Sequence, residues 1–294
     1  MRVLLTGATG FVGRYVAREL EAHGIGFITA GRGPGTQDHE HIQADLLFLT
    51  DYTGIVRAAK ATHLIHLAWY AEHGKYWTHP LNIDWIKATA GLVRAFCQEG
   101  GRHVTVSGTC AEYDWNHGYH TEDITPINPA TIYGTAKDAT RRMCLSICNE
   151  FLVPLAWGRL FFPYGRGEPE SRLLPSLAAA FKGERTCFGV NVNSYRDFLH
   201  VSDAASALLT ISKSKFRGPI NISSGEATQI AEVVRLLARK LCVSPSSLLA
   251  LPSERLGESH FIVGCNDRLR QLGWRKKISL SKGLEDFHYN EVRE

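Results

Sequence analysis

The apolar positions of this chain form short runs that alternate with longer stretches of helical periodicity over the first two-thirds of the sequence. The predicted strands are RVLLTG, GFITA, THLIHLA, HVTVSG and PLAWGRLFF. The helices predicted between them are GRYVARELEAHG, NIDWIKATAGLVRAFCQEGG and TIYGTAKDATRRMCLSICNEF. Strands that are apolar almost throughout are typical of a parallel sheet whose two faces are both covered by helices. The pattern therefore predicts an α/β fold built on a doubly wound parallel sheet.

The regular alternation ends near residue 165. Two further helices, SRLLPSLAAAFKG and IAEVVRLLARKL, are predicted among loops that contain Gly, Pro and Ser. We therefore predict two domains. The first covers residues 1–165, and the chain returns to it around residues 192–225. The second is a smaller mixed α/β domain within residues 166–294.

Composition narrows the class of protein. Of the 294 residues 44% are hydrophobic and 21% are charged, as in an ordinary globular protein, and the net charge is +4. The one basic run is Arg275–Lys277, so nucleic-acid binding gains little support. No apolar run reaches transmembrane length, and the N-terminal residues lack the pattern of a signal peptide. Seven scattered cysteines without a CxxC pair favour packing over metal binding. We expect a cytoplasmic protein with no membrane segment and no metal site.

A glycine-rich turn joins the first predicted strand to the first predicted helix. In TGATGFVG, Gly7, Gly10 and Gly13 have the spacing that allows a tight turn, close approach of a pyrophosphate and tight packing of helix on strand. The helix N-terminus then faces the anion. A glycine triplet alone is weak evidence, but its place between a strand and a helix predicts a Rossmann-type dinucleotide site.

The end of the second strand indicates which dinucleotide binds. An NAD site usually carries a carboxylate here, whereas this chain has Gly31 followed by Arg32, and a guanidinium can pair with a 2′-phosphate. We therefore predict NADP(H), with the alternative that Arg32 is a solvated loop charge left open. The residues predicted to bind the cofactor are Gly7, Gly10, Phe11, Val12, Gly13, Arg14, Arg32, Asp45, Leu46, Leu67, Ala68, Tyr133 and Lys137. Arg14 is expected at the same phosphate as Arg32, and Asp45 at the adenine edge.

A second motif, YGTAK, places Tyr133 and Lys137 four residues apart on one face of a helix. A lysine cation near a phenol lowers the phenol's pKa, so Tyr133 can exchange a proton with a carbinol or a carbonyl oxygen. Such a pair is common on helix surfaces and predicts little by itself.

The motifs taken in order carry a family resemblance. TGATGFVG, SGT at the end of a strand, and YGTAK resemble the extended short-chain dehydrogenase/reductase family, also called the NAD-dependent epimerase/dehydratase group. GRLFFPYGRGE, YRDFLHVSDAASALL, NISSG and LGWRKKISLSKGLED resemble later segments of its sugar-nucleotide branch. The likeness covers nearly the whole chain. It departs from the family pattern at Phe162, where asparagine is usual, and at Lys276, where proline is usual.

The resemblance implies roles for individual residues. Tyr133 would be the catalytic acid and base, with Lys137 as its partner. Thr109 would polarise the substrate oxygen, so the predicted catalytic residues are Thr109, Tyr133 and Lys137. Arg196 would contact the diphosphate of a nucleotide sugar. The loop WYAEHGKYW adds Trp69, Tyr70 and Lys75 as predicted substrate contacts, with the alternative that this loop packs on its own domain.

The residues after Thr109 bear on the reaction. Family dehydratases carry an Asp-Glu pair there, and this chain has Cys110 and Ala111, which disfavours dehydration. Cys110 stands one place earlier than the cysteine of a family epimerase/reductase, so its side chain is expected to face away, and packing is favoured over an acid role. Glu112 is expected to point elsewhere.

We therefore predict NADP(H)-dependent reduction of a nucleotide-linked 4-keto-(deoxy)sugar, with a resemblance to 4-ketoreductases of the abequose-synthase type. The alternatives are an NAD-dependent nucleotide-sugar 4-epimerase and a non-catalytic NADP(H)-binding regulator. The substrate is expected to be CDP-, dTDP- or GDP-linked. By family analogy, helices over 82–99 and 133–151 would pair two copies into a homodimer.

Overall fold

The computed structural model describes residues 1–35, 39–251, 253 and 259–287. The strands in this part of the chain are β1 Arg2–Thr6, β2 Gly26–Gly31, β3 His41–Gln43, β4 His63–His66, β5 His103–Thr109, β6 Tyr119–His120, β7 Leu155–Leu160, β8 Pro163–Tyr164, β9 Tyr195–Arg196, β10 Leu199–His200, β11 Gly218–Ile222, β12 Thr228–Gln229 and β13 Phe261–Gly264. The helices are α1 Phe11–Ala22, α2 Thr53–Ala59, α3 Leu81–Gln98, α4 Ile132–Glu150, α5 Leu173–Phe181, α6 Val201–Lys213, α7 Ile230–Lys240, α8 Ser246–Leu249, α9 Asp267–Gln271 and α10 Leu280–Gly283. Short 3-10 turns cover Cys110–Glu112 and Leu284–Phe287.

Seven of these strands form one sheet in the order β11-β7-β5-β4-β1-β2-β3. Every neighbouring pair in it is parallel. From β1 the chain builds outward through β2 and β3, then returns to the other side of β1 with β4. The crevice beside β1 and β4 is therefore the topological switch point at which α/β sheets bind ligands.

Helices cover both faces of this sheet. On one face α2, α3 and α4 pack on an apolar core that includes Leu64, Leu92 and Trp157. On the other face α1 and α6 pack on a second core that includes Val16 and Leu208. The predicted α/β fold with a doubly wound parallel sheet is therefore confirmed, and the two-sided burial explains why its strands read as continuous apolar runs.

The remaining elements form a smaller layer beside the carboxyl ends of the strands. A four-stranded sheet in the order β12-β9-β13-β6 and the pair β10-β8 lie there. Helices α5 and α7 share an apolar core with Tyr164 and Phe287. The bounds of the two predicted domains remain a prediction. In the described residues no helix is long and apolar enough to cross a membrane.

The predicted helices match α1, α3, α4, α5 and α7 to within a few residues at each end. Helix α6 was not predicted, because Val201–Lys213 lies inside the segment that we described only as the motif YRDFLHVSDAASALL. Its apolar residues are buried on nearly every turn, so it lacks the polar face that marks a surface helix.

Candidate active site

The glycine turn between β1 and α1 forms a cradle that side chains would fill. Gly7 has φ +74°, and a Cβ there would lie 2.7 Å from the amide nitrogen of Ala68. A Cβ on Gly13 would overlap the carbonyl oxygen of Gly7. Gly10 is the N-cap of α1 and has no side chain to accept from the first amides of the helix, those near Phe11 and Val12. Main-chain donors on an open turn at a helix N-terminus fit the pyrophosphate of a dinucleotide.

The end of β2 presents a cation to solvent. Arg32 is exposed, and its carbonyl oxygen accepts a hydrogen bond from Nε2 of Gln43 on β3 at 3.1 Å. The Arg14 guanidinium lies against Gly167 in the turn after β8, and its Nε is 3.5 Å from the carbonyl oxygen of Gly10. The structure therefore directs Arg14 toward the 165–168 turn. The predicted sharing of one phosphate by Arg14 and Arg32 stays a prediction.

Four more residues predicted to bind the cofactor follow the ends of β3 and β4. The Asp45 carboxylate accepts from the amide of Leu47 at 3.1 Å, and the side chain of Leu46 is buried in the core. Leu46 can therefore offer only main-chain groups. Leu67 and Ala68 follow β4 and lie directly against Gly7. The amide of Ala68 is 3.4 Å from Oγ1 of Thr6.

Thr109 ends β5 and is held by a capping box. Its amide donates to Oε1 of Glu112 at 2.9 Å, and its hydroxyl accepts from the amide of Ala111 at 3.2 Å. Glu112 is fully buried, where it also accepts from Trp157 at 2.8 Å and from Nε of Arg159 at 2.8 Å. Glu112 thus points away from the crevice, as expected, and fixes the strand end that carries Thr109.

Helix α4 begins directly before the predicted catalytic tyrosine. Thr131 caps it, because its hydroxyl accepts from the amide of Gly134 at 3.1 Å. Burial raises the pKa of Tyr133, and a side-chain hydrogen bond from Thr109 opposes that shift. The structure therefore brings the hydroxyls of Thr109 and Tyr133 together, and both stay protonated at neutral pH.

Lys137 lies one turn along α4 and is 3% exposed. Its Nζ donates to the carbonyl oxygen of Ser107 at 2.9 Å and lies 3.8 Å from the centre of the Trp69 ring. Burial lowers the pKa of Lys137 to about 7. We expected the lysine to lower the phenol's pKa. In the structure burial has the largest effect on the pKa of both groups, and the hydrogen bond of Thr109 is what mainly lowers the pKa of Tyr133.

The loop after β4 carries Trp69, Tyr70 and Lys75, the predicted substrate contacts. Trp69 lies beneath Lys137, the Tyr70 hydroxyl donates to Glu72 at 2.9 Å, and Lys75 pairs with Glu72 at 2.5 Å in solvent. These contacts match the alternative in which the loop packs on its own domain.

Other aromatic residues of this loop reach Tyr133. The rings of Tyr76 and Trp77 contact Tyr133 edge-on, at 4.7 Å and 5.7 Å between centres. Both belong to the loop WYAEHGKYW that we predicted to line the crevice, but neither was among its predicted substrate contacts.

Cys110 is buried in an apolar cluster with Tyr113, Phe161 and Ile262. Burial raises the pKa of its thiol to about 12, and the negative charge of Asp197 contributes to the increase. The thiol therefore stays protonated, and the packing role that we favoured agrees with its surroundings. If it ionised, Cys110 would raise the pKa of Tyr133, so the thiol lies near the reacting groups.

Arg196 lies on the small sheet facing this region. It is buried, its Nη1 donates to the carbonyl oxygen of Tyr195 at 2.8 Å, and its guanidinium is 5.8 Å from the ring centre of Phe162. The ring of Phe162, where the motif resemblance leads us to expect asparagine, thus lies beside the Arg196 guanidinium.

The turn after β8 adds two residues that our prediction missed. Nε of Arg172 is 3.1 Å from Oε1 of Glu168, and the charge of Arg172 acts on Tyr133. The other carboxyl oxygen of Glu168 is buried without a hydrogen-bond partner. A single Glu and Arg four residues apart gave no signal in the sequence.

Known proteins resemble this chain over most of its length. The dTDP-6-deoxy-L-talose 4-dehydrogenase (NAD(+)) of Aggregatibacter actinomycetemcomitans is 25% identical over 246 residues, which cover 80% of this chain and 88% of that protein. The CDP-abequose synthase of Salmonella typhimurium is 22% identical, with 97% and 96% covered. The UDP-glucose 4-epimerase of Mycolicibacterium smegmatis is 25% identical, with 97% and 96% covered.

A solved structure shares the fold. MoeE5 in complex with UDP-glucose and NAD superposes with a TM-score of 0.84 at 27% identity, covering 98% of this chain and 97% of that one. The sequence model of the "NAD dependent epimerase/dehydratase family" matches residues 3–223. This chain therefore belongs to the NAD dependent epimerase/dehydratase family, which confirms the resemblance seen in its motifs.

Proposed function

We propose that this protein reduces a nucleotide-linked 4-keto-(deoxy)sugar to the 4-hydroxy sugar with NADP(H). The observation that carries the proposal is the arrangement at the end of β5. The hydroxyls of Thr109 and Tyr133 meet there, while the nearby carboxylate of Glu112 is turned into the fold and bonded to Arg159. The site thus has a proton donor but no free acid and base pair directly after Thr109, which suits a single hydride transfer better than loss of water.

The nicotinamide cofactor supplies the hydride when bound. The Thr109 hydroxyl orients the 4-keto oxygen, and Tyr133 gives its proton to that oxygen as negative charge develops there. The ammonium of Lys137 stabilises the tyrosinate that remains and holds the nicotinamide ribose. Arg196 faces the diphosphate of the substrate.

Arg32 supports NADP(H) over NAD. It is exposed at the end of β2, where a guanidinium can pair with a 2′-phosphate and no carboxylate of β2 repels that group. We expect Arg32→Ala to weaken NADPH binding about tenfold or more and to leave NADH binding nearly unchanged, since a charge-assisted pair is worth about 1.5–3 kcal/mol. Fluorescence titration measures both affinities, and equal effects on the two would refute the cofactor assignment.

A nucleotide-sugar 4-epimerase that uses NAD is the second candidate. The 25% identical UDP-glucose 4-epimerase and MoeE5, which was solved with UDP-glucose and NAD, favour it. The CDP-abequose synthase and the deoxytalose dehydrogenase favour the reductase. A regulator that only binds NADP(H) is the weakest reading, because a pure sensor has no need of Thr109, Tyr133 and Lys137 together.

One assay separates these candidates. The purified protein is incubated with NADPH and with CDP-, dTDP- and GDP-linked 4-keto-6-deoxysugars, and the loss of NADPH absorbance is followed. Oxidation with at least one of them supports the reductase. No oxidation with any sugar, together with interconversion of UDP-hexoses, would establish the epimerase instead.

The homodimer expected from the sequence gains a candidate surface. A groove between α3 and α4 is lined by Ile83, Ile86, Ala90, Met143 and Ile147, among others. Ile83 is 61% and Met143 is 50% exposed, although both are large apolar side chains. We propose that a second copy of this chain covers the groove.

A further inference from the structure

Lys137 has an unusual environment for a catalytic lysine. Its Nζ lies over the Trp69 ring at 3.8 Å, a close cation–π distance, and donates to the carbonyl oxygen of Ser107 at 2.9 Å. Only 3% of the residue is exposed, so little water replaces the ring as a partner. The indole face and the Ser107 carbonyl oxygen therefore stabilise the ammonium by direct contact.

Trp69 is itself held in place. Its Nε1 donates to Oδ1 of Asn82 at 2.8 Å, and its ring stacks on Trp85 at 5.8 Å between centres. Asn82 is fully buried, and its Nδ2 donates to the carbonyl oxygens of Tyr76 at 2.6 Å and His79 at 2.9 Å. One amide thus fixes the indole and closes the loop that follows β4.

The same loop contacts the other half of the catalytic pair. The ring of Tyr76 meets Tyr133 edge-on at 4.7 Å. The amide of Tyr133 donates to the carbonyl oxygen of Trp77 at 3.2 Å. Asn82 therefore connects Trp69, which contacts Lys137, with Tyr76, which contacts Tyr133.

We propose that Trp69 is a positioning residue that seats the Lys137 ammonium on its indole face, and that Asn82 locks this seat to the loop that packs against Tyr133. The inference rests on the proposed function only in taking Tyr133 and Lys137 as the catalytic pair. It holds for a reductase and for an epimerase alike. It replaces the predicted role of Trp69 as a platform for substrate.

The charges around Lys137 explain why the seat matters. The titratable groups that act on Lys137 are Glu112 and Cys144, and His66 lies close enough to feel its charge. His66 stays neutral, because burial lowers its pKa to about 3. Glu112 favours the ammonium but is bonded to Arg159. Without the indole face, burial would lower the pKa of Lys137 further, so less of it would be charged at neutral pH.

Lysine labelled with ¹³C at Cε tests the seat without substrate or cofactor. The Lys137 signal is assigned by its loss in Lys137→Met, and its pKa is read from the shift during a pH titration. We expect Trp69→Leu to lower this pKa by about one unit, the size of a desolvated cation–π contact. Trp69→Phe, which keeps a ring, should lower it less.

Asn82→Ala tests the lock, because it leaves Trp69 in the chain but frees its Nε1. It should also lower the Lys137 pKa, by less than Trp69→Leu. Trp274→Leu removes another buried tryptophan, which bonds to Ser206 at 3.0 Å, and should leave the pKa unchanged. If Trp69→Leu does not fold, the pH titrations of Trp69→Phe and Asn82→Ala test the proposal instead.

An unchanged Lys137 pKa in the folded Trp69 and Asn82 variants would overturn the inference. An equal shift in Trp274→Leu would do the same. In the active enzyme, the high-pH limb of kcat/KM should move to lower pH in Trp69→Leu and return toward wild type in Trp69→Phe. Because the titration needs no substrate, a failed reductase assay leaves this test intact.

Discussion

At the residue scale, Gly13 is the position of the nucleotide turn with least room for a side chain, because a Cβ there would lie 1.9 Å from the carbonyl oxygen of Gly7. A methyl group at Gly13 has no room, so Gly13→Ala must open the turn. We expect this variant to bind NADPH and NADH at least about tenfold more weakly, which corresponds to ~1.4 kcal/mol. Gly54→Ala is the matched control, since a Cβ at Gly54 in α2 meets nothing within 4 Å. Cofactor affinities are measured by fluorescence titration. Equal affinities of both variants and the wild type would show that the glycine turn does not bind the cofactor.

Tyr133 gives the most direct test of chemistry at a single atom. Tyr133→Phe removes the hydroxyl that meets Thr109 but keeps the ring that packs on Tyr76 and Trp77. We expect turnover to fall about 10²-fold or more while cofactor affinity stays near wild type. Tyr119→Phe, at a half-exposed position on β6, is the control. Substantial turnover in Tyr133→Phe would mean that another group supplies the proton.

Glu168 predicts a pH effect on stability. Burial raises the pKa of this carboxyl to about 7, so the folded state holds its proton more tightly than the unfolded chain does. The cost of the buried charge is absent below pH 4.5, grows as pH rises toward 7, and reaches on the order of 3 kcal/mol above it. The difference in unfolding free energy between Glu168→Gln and wild type should therefore increase over that range.

Chemical denaturation at several pH values measures this difference. Glu170→Gln, at an exposed position of the same turn, is the control and should show no such trend. A flat difference for Glu168→Gln would show that Arg172, whose Nε is 3.1 Å from the carboxyl, fully compensates the burial.

At the element scale, the short turn after β5 is held by a side chain of the neighbouring strand β7. Glu112 accepts from the Thr109 amide and from Arg159, whose side chain is 1% exposed. Glu112→Ala leaves that guanidinium buried without its carboxylate, so we expect a loss of about 3–5 kcal/mol of stability. The double variant Glu112→Leu with Arg159→Met should recover much of this loss, because no charge is then stranded. Thermal and denaturant unfolding compare the variants, and no recovery would assign the loss to packing instead.

The same turn shows how far sequence reasoning reaches. Local patterns predicted five of the seven strands of the large sheet, the glycine turn and the order of SGT before YGTAK, because each depends on neighbouring residues. The contacts of Glu112 with Trp157 and Arg159 join residues more than 40 positions apart. Such pairs form only when the strands of the sheet come together, so the hydrophobic periodicity of the sequence does not predict them.

The loop between β4 and α3 was partly predicted for the same reason. Its aromatic content predicted that the loop lines the crevice. It did not predict which of the rings turn inward. The hydrogen bond from Trp69 to the buried Asn82 turns that indole under Lys137, while Tyr76 and Trp77 pack on Tyr133.

At the scale of the whole molecule, the two layers meet around the nucleotide turn. The Tyr15 hydroxyl of α1 donates to the carbonyl oxygen of Arg166 at 2.9 Å, and the Arg166 amide donates to Asp286 at 2.9 Å. Asp286 also lies 3.0 Å from Nε2 of His200. The C-terminal segment therefore holds the 165–168 turn against the first helix, which couples the small layer to the cofactor crevice.

The exposed groove between α3 and α4 carries the last prediction. An apolar surface of this kind is costly in water and marks an interaction site, and a pair of identical copies can cover it through two-fold symmetry. Ile83→Asp and Met143→Lys place charges where the two copies would meet. We expect each to convert a dimer to a monomer, measured by sedimentation velocity. The control is Ile124→Asp, because Ile124 is 80% exposed and lies outside the groove. This variant should leave the sedimenting mass of the protein unchanged. A wild-type protein that sediments as a monomer at micromolar concentration would refute a second copy as the occupant of this groove.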